Sequence, residues 1–179
     1  EDFSFNPKEY DALVLTHAHL DHCGRIPKLV KYGFKGKIFA TDATRDLAFI
    51  IMMDSANIAK QDTDHENKIR AKENLPPRKP LYNETEVAAA MKLFEIVEYD
   101  EDVEITPNIT ARFYDAGHIL GASSVRLQVN EGRKKTLVSF SGDLGQKESV
   151  IVKNTEPITN SDYVFVESTY GDRLHPAIE

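Results

Sequence analysis

The 179-residue sequence is poor in cysteine and in positive charge, and each shortage excludes a class of protein. Its one cysteine, Cys23, cannot form an internal disulfide, so the chain is not a small domain held together by disulfides. Acidic residues outnumber lysine and arginine by 29 to 22, which gives a net charge of −7. A domain that binds nucleic acid by charge alone should be basic. A polyanionic partner would have to be attracted locally, by metal ions or by another part of the protein.

Long apolar stretches and targeting segments are also absent from the sequence. The longest apolar run, LAFIIMM at 47–53, is flanked by Asp46 and Asp54 and is far shorter than the roughly 20 residues of a membrane span. We therefore predict a buried helix there and no membrane partner. Without a visible signal sequence, the expected compartment is the cytoplasm.

The first part of the chain alternates between strand and helix patterns. Strands are predicted over 12–15 and 37–40, and helices over 24–31 and 43–60. Asp42 is expected to cap the longer helix. The side chains of that helix expected to face the core are Leu47, Ile50, Ile51 and Met53.

The second part of the chain is richer in strands. An exposed helical extension and a loop are expected over 61–82, followed by a helix that Asn83 caps and that ends near 91–93. Strands are then predicted over 95–98, 103–106, 109–114, 124–129, 136–141 and 163–166, with a hairpin turn at NEGRKK. Helices early and strands later favour a layered α/β sandwich.

The stretch THAHLDHCG, residues 16–24, contains three of the six histidines and follows a predicted strand directly. His17 and His19 are two residues apart and can face the same side, while Asp21 and His22 come where the chain turns into a helix. Imidazole and carboxylate groups suit Zn²⁺ as ligands. Two ligand pairs side by side indicate two metal ions. The alternative, a solvated histidine-rich turn, gives no structural reason for imidazoles clustered beside a carboxylate.

Two later loops offer further ligands at predicted strand ends. DAGHILGASS, residues 115–124, contains His118, and SFSGDLG, residues 139–145, contains Asp143 between glycines. Loops at strand ends commonly gather into functional sites. Taken alone, the first motif would indicate only a loop histidine and the second only a turn. Asp143 has two carboxylate oxygens and could bridge two metal ions.

In this order, HAHLDHCG, DAGHILG and FSGDLG resemble the motifs of the metallo-β-lactamase superfamily. VESTYGDRLH, residues 166–175, resembles the sequence that opens the β-CASP region of its RNA-processing members. These include ribonuclease J, the endonuclease subunit of the cleavage and polyadenylation specificity factor, and stand-alone bacterial and archaeal nucleases, which the chain resembles in particular. The resemblance implies an α/β fold, namely the αββα sandwich of the superfamily. Residues 1–179 would form one partial domain of this kind.

The resemblance also implies a site for two zinc ions. Its ligands would be His17, His19, Asp21, His22, His118 and Asp143. The first zinc would be held by the first two histidines together with His118. The second would be held by Asp21 and His22, and Asp143 would bridge both ions.

Glu167 matches the first acidic residue of the β-CASP region, which in the family orients a histidine involved in protonation. With Asp21 and Asp143, it completes the set of implied catalytic residues. Members that act on DNA tend to have aspartate at this position, so Glu167 favours RNA as the substrate. Without the resemblance, residues 167–173 would indicate only a turn with a solvated Asp–Arg pair.

The sequence departs from the family pattern at both ends. Family members have strands and an aspartate motif before the first histidine motif, and two more histidines after the GDR sequence. One of those histidines partners the acidic residue and the other binds the second zinc. We therefore expect a fragment that ends near the start of the β-CASP insertion and is inactive, or nearly so, without the rest of its parent. His65 and His175 are not expected to replace the two histidines, and His65 should be a surface residue.

The implied activity is hydrolysis of RNA phosphodiesters by a hydroxide that two zinc ions activate. The metal ions would also attract the phosphate, which partly explains how an acidic chain could act on RNA. One alternative is a small-molecule hydrolase of the same superfamily, such as a thioesterase or lactonase, in which ESTYGDRLH would have no role. Another is a non-catalytic scaffold subunit, although such relatives commonly lose ligands. The sequence leaves open the RNA target, endonuclease or exonuclease action, and the oligomeric state, with a homodimer as one option.

Overall fold

The computed structural model describes residues 3–145 and 151–172. The chain divides into two compact units, Glu1–Glu98 and Tyr99–Glu179. Among the described residues, none of the helices is both long and apolar enough to cross a membrane. Each unit is built around its own sheet, and each contributes separate groups of the predicted site residues.

The first unit combines a three-stranded parallel sheet with helices. After a 3-10 turn at Pro7–Glu9, its elements are β1 (Ala12–Val14), α1 (Leu20–Cys23), α2 (Ile26–Lys31), β2 (Lys37–Ala40), α3 (Asp42–Lys72), α4 (Glu84–Met91) and β3 (Phe94–Ile96). The strand order is β1-β2-β3, and both pairings are parallel. Parallel neighbours need crossover connections, which α1 with α2 and α3 with α4 supply.

The long helix α3 buries a narrower face than its sequence predicts. Its fully buried side chains are Thr44, Ala48, Met52 and Ala56. They recur every fourth residue and form one stripe. Phe49 and Ile50 lie outside it with 44% and 59% of their surface exposed, so the expectation that LAFIIMM forms a buried helix, with Ile50 facing the core, is wrong for these two residues. Leu47, Ile51 and Met53 do pack against the core, as expected.

The ends of two helices also differ from the prediction. The N-cap of α3 is Thr41, whose hydroxyl accepts a hydrogen bond from the Thr44 amide at 3.3 Å, whereas Asp42 is the first helical residue. A carboxylate in the first turn is favourable there because of the helix dipole. The helix predicted over 24–31 is α2, which begins two residues later, at Ile26, with Pro27 in its first turn; the separate single turn of α1 precedes the predicted range.

The second unit is a five-stranded sheet. Its strands are β4 (Asp102–Thr106), β5 (Ile109–Asp115), β6 (Ser123–Glu131), β7 (Lys134–Phe140) and β8 (Tyr163–Phe165), in this spatial order. The pairings are antiparallel except for β7 with β8, which is parallel. Gly132, at φ +62°, makes the predicted hairpin turn between β6 and β7.

The strand directions bring three predicted site segments to one edge of this sheet. β5, β7 and β8 run in the same direction, because β6 is antiparallel to both of its neighbours and β8 is parallel to β7. Their carboxyl ends therefore share an edge. His118 follows β5, Asp143 follows β7 and Glu167 follows β8. The predicted strands are confirmed, with boundaries that shift by one or two residues.

Candidate metal centre

The histidine motif of the first unit begins where the chain leaves β1. The Leu15 amide still donates to the Phe39 carbonyl at 2.9 Å, which extends the pairing with β2 beyond the strand. His17 follows and is 99% buried, with 1% of its surface exposed. His19 is the N-cap of α1. The end of β1 thus positions His17, and the start of α1 positions His19, with only Ala18 between them in the sequence.

The ring nitrogens of these histidines face each other. His17 Nε2 and His19 Nδ1 are 3.1 Å apart. Two ligands of a tetrahedral zinc ion at 2.0–2.1 Å lie about 3.3 Å from each other, so this pair has the spacing of two ligands of one ion. The other ring nitrogen of His17 is 3.2 Å from the Thr16 hydroxyl, the kind of contact that fixes the orientation of a ligating histidine.

Asp21 and His22 form a second pair on α1. His22 Nε2 and Asp21 Oδ2 are 3.5 Å apart, and 78% of the Asp21 side chain is exposed. The His22 ring also lies 4.0 Å from the His17 ring between centroids. The first unit therefore brings all three histidines of the motif together and leaves the carboxylate accessible.

His118 and Asp143 meet in the second unit. His118 lies in the β5–β6 loop, where Gly117 has φ +63° and donates to Asp115 Oδ1 at 2.9 Å. Asp143 lies in the turn after β7, next to Gly142 at φ +58°. His118 Nε2 and Asp143 Oδ2 are 3.7 Å apart, and both side chains are partly exposed. Histidine and aspartate groups that could hold a metal ion are thus present in the chain.

The two loops of the second unit touch through their backbones. The Gly145 amide donates to the Ala116 carbonyl at 2.9 Å, and the Thr155 hydroxyl donates to the same carbonyl at 2.9 Å. A Cβ atom at Gly145 would overlap the carbonyl group of Gly117. Glycine at 145 is therefore needed for the approach of the His118 and Asp143 loops.

We expect Gly145→Ala to destabilise the chain by about 1–3 kcal/mol, since neither backbone can move without strain. Thermal unfolding would measure the loss. Gly132→Asn is the control, because a Cβ at Gly132 meets nothing within 4 Å and asparagine tolerates its positive φ. Equal unfolding temperatures for the two variants would contradict the close approach of the loops.

Glu167 joins the Asp143 loop by hydrogen bonds. Its Oε1 accepts from the Leu144 amide at 2.6 Å, and its own amide donates to the Ser141 hydroxyl at 3.0 Å. Partial burial alone would raise the pKa of Glu167. Hydrogen bonds from Leu144 and Thr169, together with the electrostatic effect of the nearby His118, hold that pKa below its usual range. Glu167 is therefore ionised at neutral pH. Its sequence position gave no sign of these contacts, which depend on the pairing of β7 with β8.

Three further expectations concern residues outside these groups. Cys23 is fully buried, and burial raises the pKa of its thiol to about 11, so it is not available as a thiolate ligand. His65 is exposed on α3, as expected. Tyr170 and Asp172 lie in an exposed turn in which the Gly171 amide donates to the Ser168 carbonyl at 3.0 Å. Arg173 and His175 lie outside the described residues.

A sequence model of the metallo-beta-lactamase superfamily matches residues 1–153. The chain belongs to the metallo-beta-lactamase superfamily. This membership confirms the predicted α/β fold class and, with the histidine and aspartate groups, indicates that the protein binds metal ions. Among solved structures, the chain is similar to the Rm3 metallo-beta-lactamase, with 14% identity and a TM-score of 0.43 over 76% of this chain and 42% of that one.

Curated relatives support the RNA-processing branch of the superfamily. The chain is 35% identical to ribonuclease TTHA0252 from Thermus thermophilus, over 97% of this chain and 35% of that protein. It is 37% identical to an RNase J-like protein from Methanocaldococcus jannaschii, over 93% of this chain and 33% of that protein. Identity to the transcription termination factor FttA of the same organism is 31%, over 93% of this chain and 24% of that protein. The chain thus spans about a third or less of these relatives.

Proposed function

We propose that this chain is the metallo-β-lactamase part of a zinc-dependent ribonuclease whose parent protein continues into a β-CASP region. The observation that carries the proposal is that each unit places two potential metal-binding atoms close together. The ring nitrogens of His17 and His19 are 3.1 Å apart, and His118 Nε2 is 3.7 Å from Asp143 Oδ2. Relatives named as ribonucleases support RNA as the substrate. We also propose the cytoplasm as its compartment.

The donor chemistry fits zinc. Imidazole nitrogen with a single carboxylate is a common zinc ligand set, whereas calcium and magnesium prefer oxygen alone. In this proposal His17, His19 and His118 would hold one ion, Asp21 and His22 would hold a second, and the Asp143 carboxylate would contribute to both sites. The ligand set of the first ion would include the buried and therefore rigid side chain of His17. The ligand set of the second ion would include the solvent-exposed side chain of Asp21.

The residues of the chain have distinct tasks in this proposal. When bound, zinc lowers the pKa of a coordinated water towards about 7 and offsets charge on phosphate oxygens. Thr16 holds the His17 ring in its orientation through the hydroxyl 3.2 Å from Nδ1. Ionised Glu167 orients the protonating histidine expected in the parent protein, while the exposed Asp21 side leaves room for the phosphate.

A zinc titration of the chain tests the metal assignment. We expect one tight and one weak step, because the family's last ligand of the second site has no counterpart in this sequence. Isothermal calorimetry with a competing chelator would separate the two steps. Two equally tight steps would contradict the assignment.

An RNA assay tests the activity. We expect the longer parent protein to cleave single-stranded RNA and the present chain to show little turnover under the same conditions. Equal turnover by the two proteins would contradict the need for a β-CASP region. Preferential cleavage of a thioester or lactone by the parent would point to a small-molecule hydrolase instead.

A further inference from the structure

The carboxylate of Glu167 contacts the backbone of the loop that carries Asp143. The acceptor is Glu167 Oε1 and the donor is the Leu144 amide, at 2.6 Å. That amide belongs to the peptide group that joins Asp143 to Leu144. Because the peptide group is planar, fixing its N–H direction also fixes the ψ angle of Asp143. The hydrogen bond therefore limits where the Asp143 side chain can point.

The other end of the loop is tied to the same strand. The Ser141 amide donates to the Phe165 carbonyl at 2.9 Å, and the Ser141 hydroxyl accepts from the Glu167 amide at 3.0 Å. Beneath these contacts, the Phe140 and Phe165 rings stack with centroids 4.8 Å apart and planes 7° apart. Hydrogen bonds from the segment that ends in Glu167 therefore fix both ends of the loop 141–144, at Ser141 and at Leu144.

The charge of Glu167 strengthens this connection. A hydrogen bond from a backbone amide to a carboxylate is shorter and stronger than one to a neutral acceptor. The hydrogen bonds from Leu144 and Thr169 in turn favour the ionised form of this carboxylate. The glutamate side chain is also long enough to reach past Asp143 to the next amide.

We propose that Glu167 is a positioning residue for Asp143, because its carboxylate holds the Asp143–Leu144 peptide group and so aims the Asp143 carboxylate towards His118. This role is separate from the orientation of a histidine in the parent protein, and its consequence for metal binding depends on the proposed function. It predicts that Glu167 contributes to metal affinity in the present chain, before any β-CASP region is added.

Two measurements on the chain test the proposal. Amide hydrogen exchange without metal should show Leu144 exchanging several-fold faster in Glu167→Ala, since its acceptor is lost. Zinc titration should show the tight step weakened by about ten-fold, the size typical when a partner that orients a metal ligand is removed. Glu167→Gln keeps an oxygen acceptor and should show a smaller change in both. Glu131→Ala, an exposed change in the β6–β7 hairpin, is the control and should alter neither.

The outcomes separate this proposal from the proposed function. Unchanged Leu144 exchange in Glu167→Ala would overturn the positioning role. Faster exchange with unchanged zinc affinity would overturn its link to Asp143 as a ligand. If the unmodified chain bound no zinc, the proposed metal site would fail, whereas the Leu144 exchange rate would still decide whether Glu167 holds the loop.

Discussion

Replacing both His17 and His19 by alanine should reduce the zinc content of the purified chain to background. The reason is that these two imidazoles present facing nitrogens 3.1 Å apart, so the double change removes both donors that the first unit offers to the tighter site. In the proposed ligand set, the donors left for that ion would be His118 and Asp143, too few for a four-coordinate site. Elemental analysis after dialysis against a metal-free buffer would measure the loss.

His65→Ala is the matched control for this prediction. It also removes an imidazole, but from an exposed position on α3, and should leave the zinc content unchanged. His17 is buried, so its replacement could disturb folding, and circular dichroism of the double variant must show retained secondary structure. A folded double variant with the zinc content of the unmodified chain would disprove the ligand assignment.

Local sequence patterns were sufficient for the strands and for the position of the histidine motif. Apolar runs between turn residues mark a strand regardless of its neighbours, which explains why 37–40 and 109–114 were predicted almost to the residue. The buried face of α3 could not be predicted in this way. Leu47, Ile50 and Ile51 have similar hydrophobicity, so their sequence does not indicate which of them faces the core, and the fully buried stripe consists of Thr44, Ala48, Met52 and Ala56 instead.

The contacts around Asp143 depend on pairing between distant strands. Its neighbours His118 and Glu167 are 25 and 24 residues away in sequence, and their closeness follows from the parallel register of β7 with β8 and the common direction of β5 and β7. The motifs identified the chemical groups, whereas the link from Glu167 to the Leu144 amide required the sheet. The donor is a backbone amide, which nearly every residue type has, so the identity of Leu144 does not predict this hydrogen bond.

The largest effect on activity is expected for Asp143→Ala in the parent protein. Asp143 is proposed to reach both metal ions, so its loss should weaken both and reduce the rate of single-stranded RNA cleavage by more than 10⁴-fold, roughly the upper limit for a lost general acid. Glu167→Ala should cost about 10²–10³-fold, because in the proposed roles of Glu167 it would remove the orientation of a proton donor and loosen the Asp143 loop without removing a ligand. Single-turnover cleavage rates at saturating zinc would compare the two variants.

Asp64→Ala, an exposed change on α3, is the control, and this variant should cleave RNA at the rate of the unmodified protein. A larger loss for Glu167→Ala than for Asp143→Ala would mean that proton transfer, and not the shared carboxylate, limits the reaction.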